Sequence, residues 1–201
     1  MKLIIDEKVT QNYPSISFGI VLAKSVNNER KTLALEQIFN GLCAQVRNKM
    51  KKSELADMPR ITNWENVYKD ISGKTFQTNL EKLLRDVLAS REIPFDDNLA
   101  KIRDYFMVKW KLPIVCFSLN DIYGDIELTY DGKDIIYKDQ GSELTKKWNS
   151  EQNKRGDLNR ETDSTIFIIE NLGILEPEKL KEDLMALYRE IRSETVVRDL
   201  F

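Results

Sequence analysis

The spacing of the apolar residues changes about halfway along the chain, and that change limits the fold more than any other feature. Leu35, Ile38, Phe39, Leu42, Val46 and Met50 recur at three- to four-residue intervals, the spacing that lines one face of a helix. It predicts a helix from about Asn28 to Lys52. Two capping boxes follow, Thr62-Asn63-Trp64-Glu65 and Thr78-Asn79-Leu80-Glu81. In each, a hydroxyl can accept from a first-turn N–H and a glutamate stands three residues on. The second box predicts a helix that buries Leu80, Leu83, Leu84, Val87 and Leu88. Another helix is predicted from Asn98 to Trp110, with Pro113 just past its end.

Beyond that point the period shortens to two. Gly124 to Tyr130 alternates and meets Asp131-Gly132, a hairpin signal, with Ile135-Ile136-Tyr137 as the returning strand. Thr145 to Trp148 and Thr165 to Ile169 read as further strands. A strand from Ser15 to Val26 precedes the helices, following Tyr13-Pro14. A helix from Pro177 to Ser193, burying Leu180, Leu184, Leu187, Tyr188 and Ile191, follows the strands. The order strand, helices, strands, helix predicts an α+β fold with helices packed on a mostly antiparallel sheet. No Gly/Ser/Pro-rich spacer separates Lys52 from Leu172. Residues 1–201 are therefore expected to form a single domain of two closely packed lobes.

The chain contains no histidine. That removes the usual general base, the Ser-His and Cys-His nucleophile pairs, and the imidazole metal ligand. Cys43 and Cys116 both stand in apolar surroundings and read as buried, reduced thiols. No metal and no cofactor is expected. The net charge is −2, so the overall field does not draw the protein to DNA or to an anionic membrane. Any RNA contact needs a local basic patch. Asp6 ends the N-terminal apolar run, well short of a signal-peptide core. No stretch is long enough to span a bilayer. A cytoplasmic location is expected.

The longest segment without core periodicity is polar and runs from Trp148 to Thr162. Long ordered loops often carry function, and a plain solvent loop is the competing reading.

A co-linear series of short motifs points to a family. Tyr13-Pro14 leads into a β segment ending Gly19-Ile20-Val21. Trp64-x-x-x-Tyr68 with Gly73 follows, then Asn79-Leu80-Glu81-Lys82-Leu83-Leu84-Arg85. Next come Ile93-Pro94 with Asn98, and Gly124-Asp125-Ile126-Glu127-Leu128. Trp148-Asn149 with Gln152, and Glu161-Thr162 before an Ile-rich strand, complete the set. Along nearly its whole length the chain resembles the B3/B4 domain of the phenylalanyl-tRNA synthetase β subunit, in a free-standing form. That domain hydrolyses tRNA wrongly charged with tyrosine. The resemblance implies a B3/B4-like mixed fold, tRNA or aminoacyl-tRNA as partner, and an editing deacylase. A binding module of the same fold, recognising RNA, an amino acid or a protein without turnover, is the alternative. The sequence also departs from the family. Lys154 and Arg155 stand where the synthetase carries a Gly-Gly-Glu-His run. Lys101, Asp104 and Met107 stand where free-standing relatives usually carry Asp, Asn and Ser.

An aminoacyl ester is already activated, so positioning of water can supply much of the rate and a histidine-free site is chemically sufficient. By the resemblance, Glu127, Asn149 and Gln152 are the expected catalytic group. Glu127 would be the water-orienting base, or else a solvent-facing strand residue. Asn149 and Gln152 would orient the ester or the water. Trp148, Lys154, Arg155 and Thr162 are expected at the substrate. Trp148 would stack on a base, or else belong to the core. Trp64 and Tyr68, four apart on a helix, read as core packing. Lys146 and Lys147 are the expected RNA contacts. They belong to a basic group with Lys154, Arg155 and Arg160; Lys49, Lys51, Lys52 and Arg60 form another. Each group would bind phosphates or simply be a solvated face.

Overall fold

The computed structural model describes residues 1–26, 28, 33–175, 179 and 182. The chain opens with a short strand β1 (Leu3–Ile5), one helical segment α1 (Glu7–Asn12) and a longer strand β2 (Ile16–Ala23). Helix α2 (Leu33–Lys49), a 3₁₀ turn (Lys52–Leu55), α3 (Pro59–Ser72), α4 (Asn79–Leu88) and α5 (Asn98–Trp110) follow. Then come strands β3 (Ile114–Ser118), β4 (Ile126–Tyr130), β5 (Ile135–Lys138), β6 (Thr145–Lys146), β7 (Glu151–Gln152) and β8 (Thr165–Leu172). The fold is α+β, as the apolar spacing predicts.

Several expectations shift. Helix α2 stops at Lys49, and α3 begins at Pro59 rather than at the Thr62 box. Proline fits the first helical position, where its missing N–H is not needed, so Thr62 lies inside the helix. The Thr78 box does start α4, its hydroxyl accepting from the Glu81 N–H at 2.9 Å. The strand expected from Thr145 to Trp148 is only Thr145–Lys146, because Lys147 and Trp148 take positive φ of 51° and 54° and turn the chain. Strand β3 was hidden because every residue in it is buried, which erases alternation. The helix expected from Pro177 to Ser193 lies outside the described residues apart from Lys179 and Glu182, both helical.

β8 is the centre of a three-stranded antiparallel sheet in the order β2-β8-β3. Successive side chains point to opposite faces, and each face closes a different core. Phe167 and Ile169, with Ile114, Cys116, Val21 and Ala23, join the apolar cluster built by α2, α4 and α5. Ile166, Ile168 and Leu172, with Val115 and Phe117, join a second cluster that also holds Ile126, Leu128, Tyr137, Trp64, Tyr68 and Trp148. That second side is a smaller sheet, β1-β4-β5, with β1 parallel to β4 and β4 antiparallel to β5. The short β6-β7 hairpin carries the polar segment back to the main sheet. Among the described residues no helix is long and apolar enough to cross a membrane.

Candidate functional site

Glu170 is fully buried, on the face of β8 that meets the second core. Tyr137 Oη donates to its Oε1 at 2.7 Å and Trp148 Nε1 donates to the same oxygen at 2.8 Å. Asn149 Nδ2 donates to Oε2. Burial pushes the carboxyl up to about 7, while the donors from Asn149, Tyr137 and Trp148 favour the anion and limit the rise. The carboxyl therefore titrates near neutrality. Burial, then the charge of Glu170, pushes the Tyr137 and Tyr68 phenols well above their usual range, so both remain donors.

The same network fixes Asn149. Its Oδ1 accepts from Tyr68 Oη at 2.5 Å while its Nδ2 gives to Glu170. The amide can be held only one way round. One N–H and one lone pair remain for a ligand.

Asn149 lines a cleft of about 260 Å³. Helix α4 contributes Asn79, Leu83 and Asp86, and α5 contributes Arg103, Asp104 and Met107. Val115 of β3 and the residues around the β6-β7 turn, Thr145 and Ser150 to Gln152, close it. Leu83, Met107 and Val115 make an apolar wall. The rest is polar. Asn79 Nδ2 donates to the Ile114 carbonyl at 2.9 Å, and its buried Oδ1 has no hydrogen-bond partner. A buried acceptor left unpaired is costly, so this oxygen favours a donor at the cleft.

The cleft carboxylates are all paired. Asp104 takes Arg103 Nη2 at 2.8 Å, Asp86 takes Arg91 at 2.9 Å, and Glu151 takes Lys147 at 2.6 Å. The hydrogen bond from Lys147 holds the Glu151 carboxyl below its ordinary value. Burial works against the Arg103 charge, but Asp104 beside it holds the guanidinium protonated. The buried Cys116 thiol lies 3.8 Å from Arg103 Nη1, and burial still pushes it up to about 11. It is an inert thiol. Among the described residues no group of His, Cys, Asp or Glu is arranged to hold a metal ion.

The expected site residues are only partly brought together. Asn149 and Gln152 share the cleft. Gln152, however, gives its Nε2 to the Cys116 carbonyl at 3.0 Å, so it fastens the hairpin to β3. Glu127 is elsewhere: it lies on β4 of the small sheet, pairs with Lys138 at 3.2 Å, and does not line the cleft. Its strand alternation turns it to solvent. Trp148 is core, edge-on to Trp64 at 5.0 Å and near Tyr13 at 5.8 Å, and has no free face for a base. Arg155 is bound to Asp139 and to the Asp121 carbonyl, which ties down the loop. Despite burial, that guanidinium and the backbone N–H groups of Tyr123, Ser142 and Gly141 hold the Asp139 carboxyl well below its usual range. Thr162 is buried and accepts from the Asn159 N–H at 3.0 Å. Lys154 and Lys146 are exposed. Lys147 pairs with Glu151 and lies 4.7 Å from the Phe76 ring centroid.

Sequence reasoning missed Glu170 and Arg103. A signal for Glu170 existed: it follows Ile166 and Ile168 at two-residue steps, and a carboxylate on that face needs donors. The chain matches no model of a known protein family, and it matches no curated protein in sequence.

Proposed function

We propose that the protein binds the aminoacyl end of a charged tRNA in the cleft around Asn149 and edits it by hydrolysing the ester. The observation that carries the reading is the pairing of chemistries in one small space. Leu83, Met107 and Val115 form an apolar wall, and Asp104, the unpaired Asn79 Oδ1 and the fixed Asn149 amide stand around it. An α-amino acid needs that combination: acceptors for its ammonium group, a donor for its carbonyl, and an apolar surface for its side chain. The motif series that resembles the B3/B4 domain supports the same reading, since Asn79, Asn149 and Gln152 all belong to it.

The chemistry would be modest. Water attacks the ester carbonyl, the C–O bond to the ribose breaks, and the amino acid leaves as its carboxylic acid while the terminal ribose recovers its hydroxyl. Asn149 would orient the carbonyl. The neighbouring ribose hydroxyl, supplied by the substrate, can relay the proton. Lys146 and Lys154 would meet phosphates, so affinity should be weak and fall with salt. A specific observation favours a second reading, binding without turnover: every cleft carboxylate is ion-paired, which leaves no poised base.

Incubation with a panel of mischarged tRNAs, following ester loss, tests both. Faster loss for at least one charged tRNA supports editing, and removing the hydroxyl next to the ester should slow that reaction sharply. Saturable binding of a non-hydrolysable aminoacyl-adenosine analogue without ester loss selects the second reading. Neither loss nor binding overturns both.

A further inference from the structure

The two edges of the main sheet are treated very differently. Glu170 N–H donates to the Pro113 carbonyl at 3.0 Å, so even-numbered β8 residues bond toward β3. The odd-numbered ones then bond toward β2, as the antiparallel pattern requires. The outward residues of β3 are Ile114, Cys116 and Ser118, and each has one outward backbone group taken. Asn79 takes the Ile114 carbonyl, Gln152 takes the Cys116 carbonyl, and the Ser118 N–H gives to Gly156. The outward groups of β2 belong to Phe18, Ile20 and Leu22. None of these has a hydrogen-bond partner among the described residues.

β2 is also long and bare. It reads Ile-Ser-Phe-Gly-Ile-Val-Leu-Ala over 8 residues, without a charge or a proline. Ile20 and Leu22 are 45% and 44% exposed, and their side chains lie on the same face as Phe18. Natural edges carry charges, prolines or bulges against pairing. This one has none within the strand.

We propose that the β2 edge is a docking surface for a second copy of this chain, joined strand to strand about a twofold axis. An uncharged antiparallel edge complements itself. Setting Ile20 opposite Ile20 of the other copy places Phe18 opposite the other copy's Leu22 in both directions. Every outward N–H and carbonyl of Phe18, Ile20 and Leu22 then finds a partner. The two sheets become one, running β3-β8-β2-β2-β8-β3, and the exposed apolar side chains form a continuous stripe across the join. Twofold pairing closes on itself, so assembly stops at a dimer. The cleft lies beyond β3, at the opposite edge, and stays open.

Sedimentation velocity over a dilution series of the full chain tests this. The expected result is a dimer that dissociates on dilution. Ile20→Lys sets two lysines opposite each other on the axis, and Leu22→Lys sets a lysine against Phe18 of the other copy; both side chains are exposed in the monomer. Each should give a monomer at the concentration where the parent is dimeric, with an unchanged circular dichroism spectrum. Ile20→Cys should form an intermolecular disulfide under mild oxidation, because directly opposed residues lie within about 5.5 Å between Cα atoms, and the same change at exposed Tyr123 should not. A parent that is monomeric at every concentration overturns the proposal. So does a dimer that survives both lysine variants, or a strand from another protein found on this edge in place of a second copy.

Discussion

Ile169 and Glu170 are neighbours on one strand and lie in opposite chemical worlds. Ile169 faces the three-helix side, where contact with Ile114, Phe167 and the helix residues is almost wholly hydrocarbon. Glu170 faces the other side, where its carboxylate gathers Tyr137, Trp148 and Asn149. The helices on that side do bury charges of their own, Glu81, Asp104 and Lys101 among them, Lys101 donating to the Pro94 carbonyl at 2.8 Å and lying 4.4 Å from the Phe39 ring centroid. The first face is stabilised by volume and apolar area. The second is stabilised by satisfied donors around a group that titrates. The second reaches the cleft through the Asn149 amide, while the first lends the cleft its apolar wall through Leu83 and Met107.

The largest break in that comparison should come from Glu170→Ala. It leaves the Tyr137 hydroxyl, the Trp148 indole and the Asn149 amide without their acceptor in a dry core. The expected cost is about 3–5 kcal/mol, read from urea unfolding, since each orphaned donor costs about 1–3 kcal/mol. Binding of an aminoacyl analogue should fall as well, because Asn149 is freed to turn.

The pH dependence of stability comes next. The folded carboxyl of Glu170 lies at about 7, above its ordinary value of 4.5. The folded state therefore holds a proton that the unfolded state has released. Stability from this group is fully present below about pH 4.5 and is lost as pH rises through 7, by on the order of 3 kcal/mol. Asp139 and Glu151, both held low, act in the opposite direction but below that window. Urea midpoints between pH 5 and 8 should fall with rising pH, and Glu170→Gln should flatten the slope.

Ile169→Val, one residue away, should cost about 1 kcal/mol through a small cavity. The loss should be the same at pH 5 and pH 8, and the cleft should bind as before. A pH-dependent loss there would erase the contrast between the two faces.

These same residues explain what could be read in the sequence. Helix α4 and its cap at Thr78, helix α5 and the Asp131-Gly132 turn were legible, because their signals are local in the chain. So was the core role of Trp64 and Tyr68. The candidate cleft was legible only in part. Asn149 stood out as part of a motif, but its partners are far along the chain, Tyr68 on α3 and Glu170 on β8. No spacing rule links three residues so far apart. The strand containing Glu170 was also expected to end at Ile169, one residue too early to include it. Glu127 drew notice because a carboxylate in an alternating strand looks available. In the fold it is available only to solvent and Lys138.

The smallest effect should therefore come from Glu127→Ala. An exposed ion pair is worth about 0–1 kcal/mol, and the residue is not at the cleft. Stability should change by about half a kcal/mol or less, with ester loss and analogue binding unchanged. A loss of turnover on this change would return the catalytic base to the small sheet.

The account rests on one link above all: the titrating carboxylate on the inner face of β8 holds the Asn149 amide at the cleft. NMR of the Asn149 side-chain amide, assigned by its loss in Asn149→Asp, tests that link directly. Its nitrogen and proton shifts should move together through a single inflection near pH 7. That inflection should vanish in Glu170→Gln, while the side-chain amide of Asn153, bound to the Glu143 carbonyl at 2.9 Å, stays flat in both proteins. An Asn149 signal that does not respond between pH 5 and 9, or one that responds equally with Gln at position 170, would contradict the account.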